Sequence, residues 1–494
     1  AVRRILQSDH EPANASARLS SLEVLLRPKD LVHKVRSIVC SSPMRDFDLD
    51  YFEGEHTGDL STIMARTEKL VRDLGRAVAV DKAAFEELLP ELVSNDGRLW
   101  AFGCGLAEGS DEPNEIWNRL AIQLAATENG KGRVEIFCGI INELHQKNPS
   151  LANSLLEGTL QSDALVAWYP RLQSSAPIDK EGVARLFRSL ELGKTPITSY
   201  RHLAWGAASA SISGEDMKKL VLEIAARPDG FDAALEIISM RIYPDKTRDC
   251  EPDIVEAGCA LLRQLKFSKK RNSEDYNIGR VVQACLVGER GVAVVKGICR
   301  KLKYSTSKHE THAFNNCHLL ESLFIVQPAA ALDELLGTKV FPQESSGRIL
   351  EYACDSRNNP LDVVLPEDLL RWCNQDPKIR YPRIAAFMTV SRVVEKPSSL
   401  AWADTALRVL ENAPDRIAVL KEFVNQLIGI TSWSGSRAAV MESNAKLLDG
   451  LMGYPDPAVV DFVVHEKVRI EQMIESERHR ENSFDRQRDE RFEY

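Results

Sequence analysis

The densest set of residues able to do chemistry is His309, His312, Cys317 and His318. Imidazole and thiolate both ligate zinc. The spacing H-x2-H-x4-C-H fits no common structural zinc site, and neighbours such as Cys317 and His318 are hard to aim at one ion. The stretch reads as a loop running into a helix N-terminus, and no metal is assigned. Leu192-Gly193-Lys194-Thr195 carries the GKT of a phosphate-binding loop. The full signature needs a glycine where Arg188 stands and a strand where the pattern is helical, so the lysine lacks a backbone cradle. That tripeptide reads as a helix break. Residues 46–59 hold Asp46, Asp48, Asp50, Glu53, Glu55 and Asp59. A calcium loop needs a glycine where Tyr51 stands and an acid at its twelfth position, so this is a solvated acidic loop.

Residues 261–310 are locally basic, with twelve Lys and Arg against four acids in a chain whose net charge is −9. Lys266, Lys269, Lys270, Arg271, Arg300, Lys301 and Lys303 are the candidate contacts to an anionic partner, with Tyr276 and Tyr304 placed to stack on a base. The competing reading is solvated helix ends, where cations suit the macrodipole. No catalytic triad or Cys/His pair can be assembled from linear order, and no cofactor is assigned. His145, His202 and His465 fall on helices. Trp100, Trp117, Trp168, Trp205, Trp372, Trp402 and Trp433 are spaced as core anchors would be.

The elements that must position these residues are helical. Ser213 reads as an N-cap with Asp216 reaching back to it, and Met217, Leu220, Val221 and Ile224 follow as one apolar stripe. Arg227-Pro228-Asp229-Gly230 breaks that helix, with the glycine supplying a positive φ. Phe231, Ala234, Leu235, Ile238 and Ile242 form a second stripe. Such a hairpin is too small to bury its own apolar side and must stack on others. Asp179 is a cap 34 residues before Ser213, an offset that suits a two-helix repeat, although no tetratricopeptide signature is present.

Further helices are expected at 15–26, 30–40, 60–79, 80–93, 99–106, 115–126, 133–146 and 200–207. In the second half they are expected at 250–267, 276–287, 292–302, 314–326, 329–336, 347–353, 366–373, 380–393, 402–410, 417–428 and 437–452. No convincing sheet is expected. Val460, Val463, Val464, Lys467, Val468, Glu471 and Ile474 open a last helix that turns wholly polar and is expected to fray.

With 494 residues the chain is too long for one compact core, so several domains or an elongated array are expected. An acidic chain argues against general nucleic-acid binding. Ten cysteines without a C-x-x-C pair read as buried free thiols of a reducing cytoplasm. No apolar run approaches the ~18 residues of a membrane span. The opening AVRRILQSDH has no apolar core of a secretion signal and lacks an initiator Met, so the chain is expected to be a fragment or a processed product.

Tyr454-Pro455-Asp456-Pro457-Ala458-Val459-Val460 resembles the helix start of HEAT-type repeats. More loosely, the chain resembles the C-terminal helical-repeat region of large bacterial multidomain NTPases of the STAND, NLR-like kind. Arg98–Ala107, ARPDGFDAALEIISMRI and the charged tail carry that resemblance. It implies a sensor or scaffold array attached to an ATPase, often in antiviral defence; this chain, without a Walker A motif, would be the sensing part.

The expected fold is all-α, an irregular α-solenoid of HEAT-like antiparallel hairpins. Its parts are an N-terminal hairpin and acidic loop (1–59), two array halves (60–260 and 261–453) and a capping helix with charged tail (454–494). The expected function is non-enzymatic recognition of a protein partner in the cytoplasm. A nucleic-acid-binding HEAT-like repeat protein using 261–310, with a base-excision enzyme as one form of it, is the second reading. A metal enzyme at His309–His318 is the third.

Overall fold

The computed structural model describes residues 30–41, 60–128, 130–205, 208–242, 250–267, 275–337, 350, 359–395, 398–430 and 433–492. It divides into two units, Ala1–Pro244 and Asp245–Tyr494. The expected helix 15–26, the acidic loop 46–59 and the expected helix 347–353, apart from Leu350, lie outside the described residues.

The first unit contains α1 (Leu31–Ile38), α2 (Leu60–Val80), α3 (Lys82–Leu92), α4 (Leu99–Gly109), α5 (Pro113–Ala126), α6 (Glu135–Lys147), α7 (Pro149–Thr159), α8 (Tyr169–Gln173), α9 (Lys180–Leu192), α10 (Gly214–Ala226) and α11 (Phe231–Ile242). Of the α-helix expected over 200–207, residues 200–204 belong instead to a 3-10 helix, Ile197–Ala204, and 206–207 lie outside the described residues. Pro196 leads into that turn. Nothing was expected between residues 147 and 178, where α7 and α8 lie. The signal was present: Asn148 caps α7 by accepting from Leu151 N–H, and Pro149 occupies the first turn, where its missing N–H costs nothing.

α4 is the centre of this unit. Its sequence is apolar on every side, and Leu99 and Ala101–Ala107 are all buried, as befits a helix surrounded by others. It packs on α2 and α6. The contacts are backbone to backbone. A Cβ on Gly75 would lie 2.4 Å from Phe102 O, on Gly105 2.1 Å from Arg72 O, on Gly103 2.2 Å from Ile136 O, and on Gly139 2.0 Å from Trp100 O. Glycines weaken an isolated helix, but here only they permit this approach.

The hairpin α10–α11 follows its sequence closely. Asp216 N–H donates to Ser213 Oγ at 3.1 Å, and the Ser213 hydroxyl donates to the Asp216 carboxylate at 2.7 Å. Met217, Leu220, Val221 and Ile224 are fully buried. The turn works differently from expectation. Asp229, not Gly230, takes the positive φ, at 60°. Gly230 is required because a Cβ there would lie 1.9 Å from Ile224 O.

The second unit contains α12 (Pro252–Gln264), α13 (Asp275–Cys285), α14 (Glu289–Ser307), α15 (Cys317–Val326), α16 (Pro328–Leu336), α17 (Pro366–Cys373), α18 (Pro377–Ala385), β1 (Ser391–Glu395), β2 (Ser398–Trp402), α19 (Asp404–Asn412), α20 (Arg416–Ile428), α21 (Arg437–Ala445) and α22 (Pro457–Phe492). The two strands correct two expectations. The helix expected to run to Val393 stops at Ala385, after Pro382, and the β-branched Val393 and Val394 enter an antiparallel hairpin. Trp402, expected to open a helix, pairs with Ser391 and donates its indole N–H to Leu447 O at 2.8 Å.

α22 is one helix of 36 residues. Its buried stripe is Val459, Val463, Ile470 and Ile474, whereas Val464 and Val468, read from sequence as part of the helix's opening stripe, are 43% and 54% exposed. Beyond Ile474 its acids are engaged. Glu477 accepts from Arg437 at 3.2 Å, and Glu481 accepts from Ala438 N–H at 3.1 Å and Ser436 Oγ at 2.7 Å. The tail therefore caps the N-terminus of α21.

Gly139→Ala forces a methyl group into a carbonyl and is expected to cost about 2–3 kcal/mol in urea denaturation. Gly297→Ala, in mid-α14 with nothing within 4 Å of the added carbon, is expected to stabilise by roughly 0.5–1 kcal/mol in the same assay.

Candidate functional site

The structure resolves the short motifs into helix ends. Gly193 terminates α9 in the left-handed conformation at φ 62°. Lys194 pairs with Asp163 at 3.0 Å, and Thr195 donates to Val166 O at 2.7 Å. The tripeptide is a helix stop held by its own bonds. His309 likewise ends α14: it takes φ 58°, its N–H donates to Thr306 O at 3.1 Å, and Glu310 N–H donates to Ser305 O at 2.9 Å, a Schellman-type closure. His312 stacks on Phe314, while His318 sits edge-on to Tyr276 and beside Glu321. Cys317 Sγ contacts Phe314 O at 3.2 Å. Among the described residues no three His, Cys, Asp or Glu side chains gather as metal ligands.

The tryptophans divide. Trp117 and Trp372 are core anchors, 4% and 1% exposed, but Trp205, Trp433 and Trp100 are 58%, 46% and 38% exposed. The expectation of seven core anchors is corrected accordingly. All nine cysteines described are free thiols. Burial pushes the Cys40 and Cys299 thiols up to about 12, so they pack as small apolar groups. An open groove of about 480 Å³ between α9 and α10 is lined by Phe187, Leu190 and Leu222, with Lys219 and Glu223 at its rim. Lys219 is paired with Glu215 at 2.6 Å.

The basic segment is where chemistry concentrates, in a way the linear sequence concealed. Lys269, Lys270 and Arg271 lie outside the described residues, and Lys266 is exposed. Lys301 donates to Arg263 O at 2.5 Å and Leu265 O at 3.2 Å, satisfying the last carbonyls of α12. Arg300 binds Glu334 through two nitrogens at 3.0 and 2.5 Å. Lys303, read as a surface contact, is only 4% exposed and donates to Glu334 O at 2.9 Å, closing the end of α16. Arg300, Lys301 and Lys303 thus have partners within the fold.

Around them α14, α16, α17 and α18 build a charged corner. Arg380 lies over the Trp372 ring at 4.4 Å and pairs with Asp333 at 3.0 Å, while Trp372 Nε1 donates to the same carboxylate at 2.8 Å. Arg383, one turn further along α18, is half-buried. Burial pulls Lys303 below the usual lysine range, Glu334 opposes that, and Arg383 adds to it. Burial alone pulls Arg383 down. Sequence reading missed Arg383 because it lies far outside 261–310; no local signal marks it.

A second charged set joins α2, α4 and α6. Glu143 is 3% exposed and is reached by Arg72 at 3.2 Å and Lys147 at 3.1 Å. Glu108 pairs with Arg76 at 2.8 Å and Lys147 at 3.3 Å. Arg76 also pairs with Asp73, so three cations meet three carboxylates and the set closes the glycine-packed helices.

These units define an all-α protein with one small hairpin of strands among the described residues. No described helix is long and apolar enough to cross a membrane. No family model, curated protein or solved structure matches the chain.

The Arg76 guanidinium holds the Glu108 carboxyl below the usual glutamate range, with Lys147 assisting and burial opposing. A depressed carboxyl stabilises the fold above its unfolded value and loses that contribution as pH falls through the folded value. Wild type is therefore expected to be more stable than Glu108→Gln at neutral pH. The gap should close below about pH 4.5, as read by urea midpoints at several pH values.

Proposed function

We propose that this chain is a non-enzymatic recognition or scaffold module, an irregular α-solenoid of HEAT-like hairpins that docks a protein partner. One regularity supports the reading. Within each unit helices pack on their neighbour and on the next but one, as α2 on α4, α4 on α6 and α3 on α5 do in the first unit. In the second, α13 packs on α15, α14 on α16, α17 on α19 and α18 on α20. Several of the side-chain bonds that join them span 31 to 40 residues of chain, 33 for Arg119–Glu86, 31 for Arg188–Glu157, 34 for Arg300–Glu334 and 40 for Arg416–Asp456, while others, such as Arg36–Glu91 across 55, span more. The shorter spans are about one hairpin long, so these bonds tie a hairpin to the next, as in repeat stacks whose surfaces recognise partners. In this reading the chain is the sensor or protein-binding region of a larger bacterial protein, cytoplasmic and serving antiviral defence.

Nearest-neighbour coupling predicts unfolding in steps. Hydrogen exchange under increasing urea should show groups of helices losing protection at distinct midpoints. A single calorimetric transition with equal van't Hoff and calorimetric enthalpies would refute the architecture.

Nucleic-acid binding is the second reading, favoured by exposed rings beside cations. Tyr276, Tyr304 and Phe314 are 55%, 55% and 59% exposed, with Arg280 5.8 Å from the Tyr276 centroid and Lys308 5.9 Å from that of Tyr304. It requires affinity for single-stranded DNA or RNA that falls steeply with salt. Anisotropy titrations that show no binding at low salt dispose of it.

A further inference from the structure

The hairpin of β1 and β2 has an edge without a neighbour. Its ladder runs from Ser391 with Trp402 to Glu395 with Ser398, in one register and without a bulge. Just outside the strands, Ala403 N–H donates to Val390 O at 2.9 Å. Bonded and non-bonded pairs alternate along an antiparallel ladder, so Arg392 with Ala401 and Val394 with Ser399 are the bonded pairs. The N–H and C=O groups of Ser391, Val393 and Glu395 therefore point away from β2. Among the described residues they meet no other strand and make no other bond. The β2 side is closed at one end, where Trp402 donates to Leu447 O. Successive strand residues face opposite sides of a sheet. Arg392 and Val393 are both exposed, Val393 at 67%, so the middle of β1 stands clear on both faces. Proline, lysine and bulges commonly blunt such an edge, and Ser391–Glu395 has none of them.

We infer that β1 is a self-association edge: it pairs antiparallel with β1 of a second copy of this chain, and the two hairpins join into one four-stranded sheet. A row of outward backbone donors and acceptors recognises an extended strand. Pairing across the edge must match outward residues with outward residues. With a two-fold axis at Val393, Ser391 lies opposite Glu395 of the second copy and Val393 lies opposite its own counterpart, so every outward group finds a partner. Arg392 then lies opposite Val394, and the register sets no two like charges face to face. The contact is isologous and closes on itself, as in the commonest dimers. A two-stranded ribbon is marginal alone, and two added strands support it. Strands this short bury little area, so the dimer is reversible. The contact is separate from the docking role proposed above.

The test uses the full chain. Sedimentation velocity over about 1–200 µM is expected to show a monomer–dimer equilibrium. Val393→Pro removes an outward N–H, leaves the bonds to β2 in place and suits an edge strand. The two-fold repeats that loss, so the variant should dimerise about tenfold more weakly or worse. Val393→Thr keeps the N–H and the β-branched shape and should associate as wild type does. Hydrogen exchange at residue resolution is a second readout that needs no variant. The amides of Ser391, Val393 and Glu395 should gain protection as wild-type concentration rises, whereas those of Arg392 and Val394 should be protected throughout. Three results each overturn the edge contact: a chain that stays monomeric across the range, a dimer that Val393→Pro leaves unchanged, or protection that lacks this alternation.

Discussion

Every helix ends with backbone groups that its own ladder cannot satisfy, and this chain meets that constraint both with local caps, as at Asp179 and Ser213, and from other helices. Lys301 closes α12, Lys303 closes α16, and Gln327 donates to Leu286 O and Gly288 O beyond α13. Asp275 accepts the His318 and Leu319 N–H groups that open α15, and Glu481 does the same for α21. In the first unit Arg98 donates to Ile38 O at the end of α1, and Arg241 gathers the carbonyls of Ser209, Ala210 and Ile212. A helix whose terminus is completed by a neighbour depends on that neighbour for its length and its orientation. Local order and hairpin-to-hairpin packing thus rest on the same bonds.

That mechanism explains the fate of the basic segment. A run of lysines and arginines in a linear sequence suggests a surface aimed at an external anion. Here the anionic partners of Arg300, Lys301 and Lys303 are a carboxylate and the negative ends of helices. Lys303 is buried because it serves a buried carbonyl, and its long apolar stem tolerates that position.

Much of the helical pattern was legible in advance. The stripes of α10 and the caps at Asp179 and Ser213 act through contacts within four residues, and such contacts are written in sequence order. Three kinds of feature were not. The strands after Ala385 depend on a hairpin partner rather than on local period. The side of α22 that is buried depends on α20 and α21, so Val464 and Val468 face solvent while Ile470 does not. The charged corner joins residues from four helices, and no spacing rule connects Lys303 to Arg383. The turn at Asp229-Gly230 shows a subtler limit. Glycine was correctly associated with the break, but its role there is close approach, and the left-handed conformation falls to the aspartate.

The glycine contacts among α2, α4 and α6 have a mechanical consequence. Where side chains separate two helices, rotamer changes let the helices slide or tilt by small steps. Where a Cα faces a carbonyl oxygen directly, no such bearing exists, and displacement in either direction meets hard-core repulsion or opens a gap. These three helices therefore form a stiff block, and any bending within the first unit is relegated to joints lined by longer side chains, such as that between α10 and α11.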